Sequence, residues 1–145
     1  MTRHAPHETH RWPERNGAPR VLIEDADGLG GDTERTLAAH GYDVATCPGP
    51  EGPRHRCALV TDGRCGLAAG ADVIYSRLYW PDRDCTQVLD ALRARHPETP
   101  VVIELGHGEA WPPPSALDGH ELVWSRGGPT AMRDAVERAL GQHEA

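Results

Sequence analysis

Arg20-Val21-Leu22-Ile23-Glu24-Asp25 is the stretch on which the reading of this chain turns. Three consecutive large aliphatics leave no wet face, which marks a strand covered on both sides, as in a parallel sheet. Two adjacent carboxylates then end the run and place its carboxyl end at a polar edge. The same pattern returns in Ala71-Asp72-Val73-Ile74-Tyr75-Ser76 and in Pro100-Val101-Val102-Ile103-Glu104-Leu105, with Tyr42–Thr46 and Leu122-Val123-Trp124 as weaker strands. Between them lie helical signals. Asp32–Gly41 is a short helix that Asp32 can cap and Gly41 can end in the left-handed conformation. Thr86–Arg95 carries Val88, Leu89 and Leu92 on one face, with Asp84 as its cap and Pro97 beyond its end. Pro129–Gln142 is amphipathic, with Met132, Ala135, Val136, Ala139 and Leu140 at helical spacing.

Strands alternating with helices predict a doubly wound, three-layer α/β domain with right-handed crossovers. Five strands in about 125 residues fit the flavodoxin-like form, a five-stranded parallel sheet of order 2-1-3-4-5, whose functional crevice lies at the carboxyl ends of strands one and three. Residues 1–19 hold almost no aliphatics and are interrupted by Pro, so they read as a flexible N-terminal tail ahead of a domain spanning 20–142. Within that domain, residues 47–70 crowd Pro, Gly, Arg and three cysteines around one short apolar segment, Cys57–Val60, and read as an insertion with poor helical periodicity.

The chain has 145 residues, and all 15 of its basic side chains are arginine. Without lysine there is no Schiff-base chemistry and no Walker-type phosphate loop. The 22 acidic residues bring the net charge to −7, which argues against a nucleic-acid partner. No apolar run approaches the ~20 residues that span a bilayer, and no signal-peptide region opens the chain. The expectation is a cytoplasmic protein with no membrane partner, whose four cysteines are reduced thiols unless they serve redox or metal chemistry.

Three stretches together resemble the receiver domains of two-component response regulators. Val21-Leu22-Ile23-Glu24-Asp25 stands in the place of the strand-one acidic pair. Ala71 to Asp84 matches the strand-three segment through its proline, Pro81, and the following aspartate. Leu92 to Ile103 is similar to the third helix, tight connection and fourth strand. The overlap covers about residues 20 to 141 and rests on the order and spacing of the motifs, none of which is diagnostic alone.

The resemblance implies an aspartate that ends strand three and accepts a phosphoryl group. It also implies two acidic residues that hold Mg²⁺, a Thr or Ser ending strand four and a Lys ending strand five. An in-line transfer needs a nucleophile, and its charge must be neutralised by metal and cation. Carried over position by position, Glu24 and Asp25 keep the acidic pair, while Arg77 stands at the acceptor position and Leu105 at the hydroxyl position. Ser125 or Arg126 stands where the lysine belongs. Asp72 and Asp82 are out of frame and do not replace the acceptor. The implied protein is a degenerate receiver lacking its phospho-acceptor. Arg77 is expected beside Glu24 or Asp25, replacing the metal with a built-in cation; the alternative is an Arg77 that points to solvent.

The cysteines leave several readings open. Cys57 and Cys65 flank a turn-like Thr61-Asp62-Gly63, and Arg54, His55, Arg56 and Arg64 nearby would favour thiolate. They are core thiols, a redox pair or part of a metal site, although no short paired spacing announces zinc. His4, His7 and His10 recur in the tail without preorganisation, and Trp12 is a loose anchor at most. His107, in Gly106-His107-Gly108-Glu109 after strand four, is the one histidine placed near the acidic pair. The Gly28-x-Gly30-Gly31 stretch lacks phosphate-loop spacing.

The leading functional expectation is a non-enzymatic signalling module that binds a protein partner, with Trp111 and Trp124 on the partner surface or, equally, packed over the sheet edge. A thiol-based redox sensor using Cys57 and Cys65 and a small-molecule-binding α/β protein are the alternatives. Neither a cofactor nor a resident metal is expected, and composition does not give the oligomeric state.

Overall fold

The computed structural model describes residues 12–25, 31–47, 59, 65–77, 83–106, 117 and 119–144. In chain order these give β1 (Arg20–Asp25), α1 (Gly31–Ala39), β2 (Asp43–Cys47), α2 (Gly66–Gly70), β3 (Val73–Arg77), α3 (Arg83–Arg95), β4 (Val101–Leu105), β5 (Glu121–Trp124), a 3-10 turn (Ser125–Gly127) and α4 (Gly128–Glu144). The five strands form one sheet of order β2-β1-β3-β4-β5, and every pairing is parallel. The expected architecture is therefore the observed one, with β1 as expected and the other strand and helix bounds moved by no more than three residues.

Alternation along the strands sorts the core into two layers. Val21, Ile23, Val73, Tyr75, Val102 and Val123 face α1 and α4, where they meet Leu37, Met132, Ala135, Val136 and Ala139. Leu22, Ile74, Val101, Ile103 and Leu105 face the other way, against Leu67 and Ala68 of α2 and Val88, Leu89 and Leu92 of α3. Burial on both sides is why the strands lack polar alternation in sequence. At the end of α1, Gly41 adopts a φ of 91°, with Gly41 N donating to Ala38 O and Tyr42 N to Leu37 O. This is the left-handed exit expected of that glycine.

Two expectations are corrected. The region 47–70 contains a short helix, Gly66–Gly70, which buries Leu67 and Ala68. Five residues are too few to display a helical period, and packing rather than propensity holds them. Residues 12–19, read as part of a flexible tail, lie against the amino end of the sheet. Trp12 packs on the α2 side of the core and its Nε1 donates to Leu67 O at 2.8 Å. Arg15 pairs with Asp72 at 3.0 Å, and Asn16 Nδ2 donates to Asp43 Oδ1 at 3.4 Å. A single aromatic anchor orders a segment whose composition reads as disordered, because tertiary contact outweighs the local signal.

Candidate functional site

Parallel register sets the geometry at the carboxyl edge of the sheet. Asp25 of β1 lies beside Arg77 of β3, and Glu24 lies beside Ser76. Side chains alternate across a strand, so these two rows face opposite layers. Arg77 shares its face with Tyr75, two residues earlier. Continuing the β3–β4 register, in which Ser76 pairs with Ile103, by one residue brings Arg77 beside Glu104.

The result is a cluster spanning three central strands. Arg77 Nη1 donates to Asp25 Oδ2 at 2.9 Å, and Arg77 Nε donates to Glu104 Oε2 at 2.6 Å. The other Glu104 oxygen, Oε1, accepts from the Tyr75 hydroxyl at 2.9 Å. Both carboxylates are nearly buried, at 8% and 10% side-chain exposure, whereas the Arg77 side chain keeps 34% and so reaches the surface. Burial works against the Arg77 charge, but the hydrogen bond to Glu104 and the pull of Glu104 and Asp25 outweigh it, so its pKa is raised. The Tyr75 hydroxyl is likewise held above its ordinary pKa, by burial and by the Glu104 charge. Arg77 is a fixed cation and Tyr75 a fixed donor.

Glu24 has a different environment. It is buried on the α2–α3 face, in a lateral row with Cys47 of β2 and Ser76 of β3. Among the described residues it joins no ion pair. Burial pushes its carboxyl up to about 7, with the Ser76 hydroxyl holding part of the rise back. Ser76 Oγ itself is buried and completes no hydrogen bond of full geometry among the described residues.

Each expected site residue can now be placed. Arg77 meets Asp25, as one of the two expectations had it. It does not meet Glu24, because neighbouring residues on a strand point to opposite faces. Leu105 is fully buried in the α2–α3 layer and contributes no polar atom. Ser125 is exposed in the 3-10 turn, and the Arg126 side chain lies outside the described residues. Asp72 lies at the amino end of β3, bound by Arg15 and by the Arg20 amide, at the far end of the strand from Arg77. Trp124 is half-buried against the α2–α3 layer, so packing accounts for at least part of its surface. Cys65 is half-buried and Cys47 buried. Cys57, Trp111, Asp82, His107, the histidines of the tail and the Gly28–Gly30 stretch lie outside the described residues.

Glu104 and Tyr75 were not singled out from the sequence. The signal was present: Glu104 is the one charged residue inside an otherwise apolar strand four, and the two-residue period puts Tyr75 and Arg77 on one face. The residues present do not suit a divalent cation, because Asp25, one member of the acidic pair, is already taken by the Arg77 guanidinium, while Glu24, the other, faces the opposite layer. Among the described residues, no group of three or more His, Cys, Asp or Glu is arranged to hold a metal ion.

Solved structures with the same arrangement are numerous. The signal receiver domain of an HD domain-containing protein from Pseudomonas fluorescens Pf-5 superposes with a TM-score of 0.65 at 14% identity, over 88% of this chain and 98% of that one. A CheY-like receiver domain protein from Methanospirillum hungatei JF-1 gives 0.65 at 17% identity, over 88% and 97%. The chemotaxis response regulator CheY4 of Vibrio cholerae gives 0.61 at 20% identity, over 85% and 99%. The fold is that of receiver domains. No family model matches the sequence, and neither does any curated protein. At these identities the scaffold is shared while most residues differ. No helix among the described residues is long and apolar enough to cross a membrane.

Proposed function

We propose that this chain is a receiver-like signalling module that undergoes no phosphoryl transfer and acts by binding a protein partner in a two-component-type or derived regulatory system. One observation carries the reading. Arg77, which the resemblance to receiver domains puts at the acceptor position, ends β3 and is bound by Asp25 and Glu104. A guanidinium is no nucleophile, and it occupies Asp25, one of the two carboxylates of the acidic pair that the resemblance assigns to Mg²⁺. A fixed cation takes the place of the exchangeable one, and the site rests in a single state. The module is non-enzymatic in this reading, since the cluster offers no activated nucleophile beside a base. The net charge of −7 favours a protein over a nucleic acid as its partner.

The test is incubation of the full chain with Mg²⁺ and a small-molecule phosphoryl donor, followed by intact mass measurement, together with a Mg²⁺ titration read by tryptophan fluorescence. No phosphoryl adduct and no saturable millimolar-range response are expected. A stoichiometric adduct, or specific Mg²⁺ binding by the wild type, overturns the proposal.

A further inference from the structure

The amino end of the sheet carries a second constructed feature, remote from Arg77. Trp12 lies in a notch whose floor is Gly70. A Cβ on Gly70 would stand 2.6 Å from Trp12 Cδ1 and 3.1 Å from its Nε1, so a glycine is required for the ring to enter. The ring's one donor is satisfied by Leu67 O, a carbonyl of α2. Arg20 closes the other side: its guanidinium carbon lies 5.5 Å from the ring centroid and its Nη2 donates to Pro13 O at 2.7 Å. Three residues beyond the tryptophan, Arg15 reaches Asp72 with both terminal nitrogens, at 3.0 and 3.5 Å. Asp72 is itself held by the Arg20 amide.

These parts make a small peptide site: an aromatic slot, a carbonyl to receive the indole, and a carboxylate to receive an arginine three residues on. We propose that this notch is a docking site for a Trp-x-x-Arg segment, and that its resident ligand is the chain's own Trp12–Arg15, bound as a releasable latch. The holding contacts are weak enough for exchange. The Arg15–Asp72 pair is open to solvent, and ion pairs of that class are weak and screened by salt. The tryptophan is only partly buried. Occupancy therefore depends chiefly on the latch being tethered, which supplies a high effective concentration that a free segment must match. Release uncovers Leu67, Gly70 and the amino end of β3, a surface separate from the Arg77 site and independent of the function assigned to it.

The experiment uses the full chain and a labelled peptide with the sequence of residues 12–19, followed by fluorescence anisotropy. A Trp12→Ala/Arg15→Ala variant empties the notch and should bind the peptide, whereas the wild type should bind it about tenfold or more weakly, since its own latch competes at millimolar-range effective concentration. Adding Gly70→Ala to the double variant should abolish binding, because the new methyl group occupies the ring's place. Gly70 has no positive φ, so alanine suits its backbone, and circular dichroism confirms that each variant is folded. Equal binding by wild type and double variant, no binding by a folded double variant, or binding that survives Gly70→Ala would each overturn the proposal.

Discussion

Glu24 and Asp25 are neighbours in sequence and opposites in surroundings. Asp25 faces the α1–α4 layer and receives a hydrogen bond from a guanidinium. Glu24 faces the α2–α3 layer and, among the described residues, meets a thiol-bearing strand on one side and a serine on the other. One carboxyl is paired with a cation, while the other is pushed by burial toward the neutral acid. Two adjacent acidic residues are therefore not a spatial pair, and the partner that completes the Asp25 side comes from β4.

The contrast can be broken most forcefully at Arg77. Replacing it with alanine leaves Asp25 and Glu104 buried without their cation, and a loss of about 3–4 kcal/mol of unfolding free energy is expected, reduced from the fully buried case because the Arg77 side chain is one-third exposed. Urea denaturation at neutral pH measures it; a loss under 1 kcal/mol would mean the pairs are ornamental.

Glu24 should respond in the opposite sense. Its folded pKa of about 7 lies above the ordinary 4.5, so the native state holds the proton more tightly than the unfolded chain. Stability from this group is complete below pH 4.5 and declines as the pH rises to about 7. Glu24→Gln removes that decline, and its stability relative to wild type should grow by about 2–3 kcal/mol between pH 4.5 and 8. Denaturant midpoints across that range check the slope, and parallel profiles for the two proteins would show that Glu24 stays ionised. Tyr75→Phe tests the outermost link of the Arg77 cluster. Removing one donor to a charged, nearly buried carboxylate should cost about 1.5–2 kcal/mol without altering the pH profile below 9. Smallest of all, Arg15→Ala at the far end of the sheet should lower the denaturation midpoint least, and the loss should vanish in high salt.

Sequence carried the fold further than the site. Continuous aliphatic runs such as Val21–Ile23 and Val101–Ile103 report burial on both faces, and that alone implies the layering. The sheet order followed from length and alternation and was met strand for strand. Arg77 and Asp25 are legible through the resemblance to receiver domains, which sets the ends of strands one and three side by side. Glu104 is not, because its role depends on the register between β3 and β4, which no local pattern states. The order of residues 12–19 is hidden from the sequence for a related reason. Pro-interrupted polar sequence describes what a segment does alone, and Trp12 is ordered by a notch that Leu67, Gly70 and Arg20 assemble from distant parts of the chain.

The Arg77 clamp also bears on how such a domain carries information. A magnesium ion or a phosphoryl group arrives, departs and leaves a record of its visit, with a lifetime set by its own chemistry. A counter-ion built into the polypeptide has no arrival rate, no lifetime and no dependence on the metal content of the cell. In the proposed reading, a message passing through this domain is written in how many copies are present and in what they touch, and it is erased only when the copies are.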